Sequence, residues 1–121
     1  MANKKTLVLG ASVNPARYSY LAVNKLQAKG HEVIAIGKRE GKAGQVQVET
    51  EVKDINDLDT VTLYLNPVNQ KQYYDYIFSL HPKRIIFNPG AENEELSSMA
   101  KEKGILAQEA CTLVLLSTGQ Y

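Results

Sequence analysis

Residues 6–20 read TLVLGASVNPARYSY, and this stretch decides the fold. The apolar run from Thr6 to Leu9 makes a short buried strand, Gly10 ends it in backbone angles closed to other residues, and the small residues after it open a helix. Ser12 and Asn14 offer side-chain hydrogen bonds. Pro15 suits a first helical turn, where its missing N–H is not needed. The free N–H groups at the start of that helix would face whatever lies above the turn, and the helix dipole favours negative charge there. No Asp or Glu occurs before Glu32, so nothing in the turn competes with an incoming phosphate.

Working outward, the spacing predicts a helix over 16–29 with Tyr18, Leu21, Ala22 and Leu26 on one face, stopped by Gly30. The run 31–37, HEVIAIG, reads as a second strand, parallel to the first because a helical crossover joins them. Residues 38–44, KREGKAG, read as an exposed, mobile loop. Val46, Val48, Thr50 and Val52 alternate with polar residues, as in a half-exposed strand near a sheet edge. Residues 54–59 form an acidic connection with room for one helical turn, and 60–65, TVTLYL, is a further buried strand that ends at Asn66-Pro67. A helix is predicted over 69–80, with Tyr73, Tyr76, Ile77 and Leu80 inward, stopping before Pro82. Strand 84–87 leads to Asn88-Pro89-Gly90 and then to a helix over 92–103, acidic at its start and basic at its end as its dipole favours. Residues 105–108 give a last short strand, and the apolar tail from Cys111 to Leu116 is expected to pack on the body. This alternation predicts an α/β fold: a three-layer, doubly wound parallel sheet with helices on both faces.

The 121 residues, taken as a single domain over 1–121, have room for a core but little for a second lobe. At 44% hydrophobic and 22% charged the composition is that of an ordinary globular chain, and a formal net charge of +1 with scattered Lys and Arg gives no reason to expect nucleic acid. Cys111 is the single cysteine, so no intrachain disulfide forms, and the chain falls far short of a zinc pattern; no metal is expected. The first apolar run stops at Gly10, too short for a signal-peptide core or a membrane span. A cytoplasmic protein with no membrane role is the expectation.

In an open parallel sheet, ligands bind beyond the carboxyl ends of the strands, near the point where strand order reverses. Here those ends carry Gly10-Ala11-Ser12, Gly37-Lys38-Arg39, Asn66-Pro67-Val68 and Asn88-Pro89-Gly90. Each alone is readily a turn; together, beside an acid-free first helix, they favour a binding rim. The first turn lacks the full G-x-G-x-x-G pattern, with Ser12 and Pro15 at the second and third glycine positions. The second strand end is more telling. Sites for NAD usually place a carboxylate there, whereas Lys38 and Arg39, with Lys42 following, suit a ribose that carries an extra phosphate. NADP and coenzyme A both fit.

The order G-A-S-x-N-P followed by Arg17-Tyr18-Ser19, then G-H-E-V-I-A-I before a basic glycine loop, a strand ending in x-N-P and an N-P-G-x-x-N turn resembles the small bacterial coenzyme A-binding proteins. Their domain is similar to the nucleotide-binding domain of the succinyl-coenzyme A synthetase alpha subunit. The resemblance runs from Lys5 to about Cys111 and is most specific over Gly10 to Ser19. Where members usually read V-N-P after the second strand, this chain has Ile36-Gly37-Lys38. The resemblance implies a Rossmann-type domain whose first turn holds the pyrophosphate, whose second strand end lies by the adenosine and its phosphate, and whose later turns border the pantetheine arm.

The resembled synthetase subunit reacts through a second domain with a phosphorylated histidine, which this chain lacks. His31 and His81 read as surface turn residues, and Glu92, Glu94 and Glu95 as a helix start rather than a general base. Cys111 reads as a small buried apolar residue, with a mixed disulfide to coenzyme A as the sharper alternative. The expected function is therefore non-catalytic binding of coenzyme A or an acyl derivative; the alternative is an NADP- or NAD-binding sensor acting on a partner. Tyr73, Tyr74, Tyr76 and Phe78 on one helix give more aromatic surface than one buried face needs, which hints at a homodimer contact.

Overall fold

The computed structural model describes residues 3–121. In chain order its elements are β1 (Thr6–Ala11), α1 (Tyr18–Ala28), β2 (Val33–Gly37), β3 (Gly41–Ala43), β4 (Val46–Glu49), β5 (Thr60–Leu63) and α2 (Pro67–Gln70). A 3-10 turn (Lys71–Tyr73), α3 (Tyr74–Ser79), β6 (Arg84–Phe87), α4 (Glu94–Glu102), β7 (Leu106–Glu109) and α5 (Thr112–Ser117) complete it. Among the described residues seven strands form one sheet in the order β3-β4-β2-β1-β5-β6-β7. Every pairing is parallel except β3 with β4.

The pleat sends alternate residues of β1 into opposite layers. Leu7 and Leu9 join Val61, Leu63, Ile85 and Phe87 under α3 and α4, whereas Val8 and Ala11 join Ala35, Val48 and Ile86 under α1 and α5. Each of these large apolar side chains contributes about 1.5–3 kcal/mol by leaving water. Both sheet faces are therefore covered, as parallel sheets require, and the three-layer, doubly wound architecture is the one that the sequence predicts.

Several elements differ from the sequence reading. Helix α1 starts at Tyr18 and buries Ser19, Ala22, Val23 and Leu26, so its inner face is rotated away from Tyr18, which is 73% exposed, and Leu21. Residues 38–44 are not simply a loop: Gly41–Ala43 form the edge strand, turned back antiparallel on β4, with Ala43 fully buried. No helical turn occurs over 54–59; Ile55 and Leu58 plug the core from irregular backbone. The helix expected over 69–80 begins two residues earlier, at Pro67, and breaks into 3-10 geometry at Lys71. Ile77 and Leu80 are buried as expected, while Tyr73, Tyr74, Tyr76 and Phe78 are only partly covered and pack on the same core, which accounts for those rings within the chain. The apolar tail docks as α5, with Leu115 and Leu116 buried.

His31 is the clearest reversal. It is 3% exposed rather than at the surface, because Nδ1 accepts the Lys4 N–H at 2.9 Å and the ring lies against Tyr121, centroid to centroid 5.0 Å. Tyr121 seals the amino ends of the strands. Its hydroxyl pairs with Thr6 Oγ1 at 2.6 Å, its carbonyl oxygen accepts from Lys4 Nζ and Arg84 Nη1, and the Arg84 guanidinium lies 4.4 Å from its ring centre.

Candidate functional site

Strand order reverses at β1, which has β2 on one side and β5 on the other. Loops leaving the carboxyl ends of these three strands diverge to opposite faces and leave a crevice, the place where doubly wound sheets bind ligands. A cleft of about 660 Å³ occupies that position. That is within the usual range for small-molecule sites.

The first turn forms its floor. Gly10 has φ +93° and interrupts the β1–β2 register, which steps from Leu9 opposite Ile36 to Ala11 opposite Gly37. A Cβ at Gly10 would lie 2.7 Å from the Tyr64 carbonyl oxygen, so the residue must be glycine for packing as well as for φ. Ser12 Oγ accepts the Asn14 N–H at 3.0 Å, Asn14 Oδ1 accepts the Ala16 N–H at 3.0 Å, and the Asn14 carbonyl accepts the Arg17 N–H at 3.0 Å. The acceptors of Ser12 and Asn14 are thus spent on holding the turn, while the Ser12 O–H and the Asn14 NH2 group remain as donors, the polarity that an anion needs. Pro15 does not enter the helix. It lies in the turn ahead of α1, whose N-cap is Arg17 in extended geometry with no side-chain cap. The first N–H groups of α1 therefore have neither an intrahelical nor a side-chain partner.

Of the residues expected at the rim, Gly10, Ala11, Ser12, Asn14, Arg17, Tyr18 and Ser19 line the cleft from the first turn, Gly37, Lys38 and Arg39 from the end of β2, and Asn66 from the end of β5. Asn66 also caps α2, its Oδ1 accepting the Asn69 N–H at 2.9 Å, and Pro67 is the first residue of that helix rather than part of the lining. Lys42 is exposed on β3, away from the cleft. The turn after β6 is not in the lining either. Asn88, 1% exposed, donates through Nδ2 to Thr62 Oγ1 at 2.6 Å and the Leu63 carbonyl at 2.9 Å, and its Oδ1 accepts the Thr112 N–H at 2.9 Å. Its side chain ties β5, β6 and α5 together and has nothing left for a ligand. Pro89 and Gly90 follow it outside the cleft.

The lining also holds residues that the sequence reading passed over: Val13, Tyr64, Leu65, Asn69, Gln72 and Tyr73. Asn69, Gln72 and Tyr73 stand at i, i+3 and i+4, one face of a helical segment, and Tyr73 packs on the core while also lining the cleft. The Tyr64 hydroxyl is buried, and burial raises its pKa, so it stays a neutral phenol.

Among the described residues the charged groups along the lining are Arg17, Lys38 and Arg39, with no Asp or Glu. His31, His81 and Cys111 all lie outside. His81 is exposed at φ +50°, and Cys111 is half-exposed at the start of α5.

Residues 4–117 match the family described as "CoA binding domain". The chain belongs to that family. The chain superposes on a protein solved as "Crystal structure of uncharacterized protein" with a TM-score of 0.96 at 50% identity, covering 100% of both chains. It also superposes on a hypothetical protein from Pyrococcus horikoshii OT3 with a TM-score of 0.82 at 26% identity, covering 96% of this chain and 83% of that one. A structure from Thermus thermophilus, 17% identical with a TM-score of 0.80 and coverage of 98% and 91%, shares the fold. No protein of curated function matches this chain. No described helix is long and apolar enough to cross a membrane.

Proposed function

We propose that the chain binds coenzyme A or an acyl-coenzyme A in the cleft over β1, β2 and β5, as a binding protein rather than an enzyme. The observation that carries this reading is the union of an uncapped α1 start with a basic, carboxylate-free β2 end in one crevice. The diphosphate would be held by the first N–H groups of α1, the Ser12 hydroxyl, the Asn14 amide and Arg17, where the helix dipole adds to the attraction. The phosphomonoester of the ribose would be held by Lys38 and Arg39; an NAD site would place a carboxylate there instead. Cys111 and the two histidines stand outside the cleft.

Thermal unfolding of the full chain with coenzyme A, dephospho-coenzyme A, NADP and NAD tests the reading. A ligand at a hundred times its Kd adds about 2.7 kcal/mol to stability. Coenzyme A should raise the melting temperature most and dephospho-coenzyme A distinctly less at equal concentration. A larger rise with NAD than with either phosphorylated ligand would overturn it, and a larger rise with NADP than with coenzyme A would make the site a dinucleotide sensor.

A further inference from the structure

We propose that β7 is a dimerisation edge, on which a second copy of this chain adds its own β7, antiparallel, about a two-fold axis through Ala107. The sheet ends in β3 on one side and β7 on the other. β3 is three residues long, turns back on β4 and carries Lys42, devices that keep an edge from pairing. β7 has no proline, glycine or charge in its interior, and Leu106 is 59% exposed. The Leu106 N–H donates to the Lys83 carbonyl and the Ala110 N–H to the Phe87 carbonyl, both at 3.1 Å, so the even-numbered residues turn their main-chain groups to β6. Those of Ala107 and Glu109 face outward, and among the described residues they have no partner. Such an edge is a template for another strand.

The free groups set the register. With the axis through Ala107, the two Ala107 residues exchange N–H and carbonyl bonds, and each Glu109 N–H meets the Ile105 carbonyl of the other copy. The Ile105 N–H is not needed, being spent on the Ala100 carbonyl at 2.9 Å. Leu106 falls opposite Gln108 of the other copy and diagonal to its Leu106, which covers the exposed apolar side chain.

Charge selects a second copy as the occupant. Directly paired residues share a sheet face, so Glu109, paired with Phe87, projects to the side of α3 and α4. On that side, at the opposite end of β7, an open groove of about 580 Å³ runs beside Ile105, between Phe78, Lys83 and Lys103. Among the described residues no Asp or Glu lines it, and Lys103 Nζ lies 5.0 Å from the Phe78 ring centre. Two-fold pairing sets Glu109 of each copy opposite Ile105 of the other and so brings the carboxylate to the mouth of this basic groove. The same patch serves on both copies, as a two-fold interface requires.

Analytical ultracentrifugation of the full chain over a micromolar concentration series tests the proposal. Native protein should sediment as a monomer–dimer equilibrium. Ala107→Pro removes an outward N–H, a change that an edge strand tolerates, and should give a monomer that is folded by circular dichroism. Glu109 and Lys103 are both exposed, so charge changes there leave the core alone and decide the matter should the proline variant not fold. Glu109→Lys and Lys103→Glu should each weaken the dimer about tenfold or more, and the combined variant should recover it, because the swap restores opposite charges across the axis. Native protein that stays monomeric throughout the series would overturn the proposal. So would a dimer that survives in folded Ala107→Pro, one indifferent to the single charge changes, or one that the swap does not restore.

Discussion

Replacing Gly10 by alanine should damage both the fold and the cleft, and the two physical causes can be separated. The residue sits at φ +93°, a region that costs an L side chain about 1–2 kcal/mol. The new Cβ would also lie 2.7 Å from the Tyr64 carbonyl oxygen and 2.9 Å from its carbon, both backbone atoms on a segment fixed by the Tyr64 N–H to Leu9 carbonyl bond of 2.9 Å. Backbone held in this way cannot give cheaply, and overpacking of this kind costs about 1–3 kcal/mol. The sum, about 2–5 kcal/mol, is a large share of the 5–15 kcal/mol that holds a domain together. Gly90 is the control: it has nearly the same φ, +92°, but nothing within 4 Å of its Cβ position. Urea unfolding of Gly10→Ala and Gly90→Ala should therefore show the larger loss at Gly10, the difference being the steric part, and only Gly10→Ala should weaken coenzyme A binding. Equal losses in the two variants, or a Gly10→Ala protein with native stability, would refute the close approach at the turn.

Asn88→Ala should cost about 2–4 kcal/mol in a denaturant titration, because it strands the buried Thr112 N–H and Leu63 carbonyl, yet leave the preference for coenzyme A over dephospho-coenzyme A unchanged. Stability should also depend on pH through His31. Burial, with Lys4 and Arg84 nearby and only Asp59 opposing, holds its pKa below the ordinary 6.5. The unfolded chain therefore takes up the proton first, so this contribution is fully present above pH 6.5 and is lost as pH falls from there through the lowered native value. Unfolding free energies measured across that window should slope upward with pH in native protein and flatten in His31→Asn; an unchanged slope would remove His31 as the cause.

The architecture was legible because period and punctuation agreed along most of the chain. The runs TLVLG, VIAIG, TVTL and RIIF are too short and too β-branched for helices, and the helical segments that follow the first, third and fourth of them are closed by Gly30, Pro82 and Gly104. What escaped was set by tertiary contact. Nothing local marks Gly41–Ala43 as a strand, since its partner β4 supplies the reason, and His31 looks like a turn residue until Tyr121, 90 positions on, covers it. The cleft divided in the same way. Its basic side was readable from Gly10, Ser12, Asn14, Lys38 and Arg39, because a glycine turn and neighbouring cations have a local signature. Its uncharged side was not, because nothing local marks Asn69, Gln72 and Tyr73 as lining a cleft, and an Asn-Pro-Gly turn looks the same whether the Asn88 side chain faces a ligand or the core.

The most direct measurement of the central claim is a calorimetric titration of the full chain with coenzyme A and dephospho-coenzyme A, run on native protein and on a Lys38→Ser, Arg39→Ser double variant. Native protein should bind one coenzyme A per chain with about tenfold or greater preference for the 3′-phosphorylated form, the worth of one or two charge-assisted hydrogen bonds, and the double variant should lose that preference. Equal affinity of native protein for the two forms, or a preference that survives in the double variant, would contradict the account.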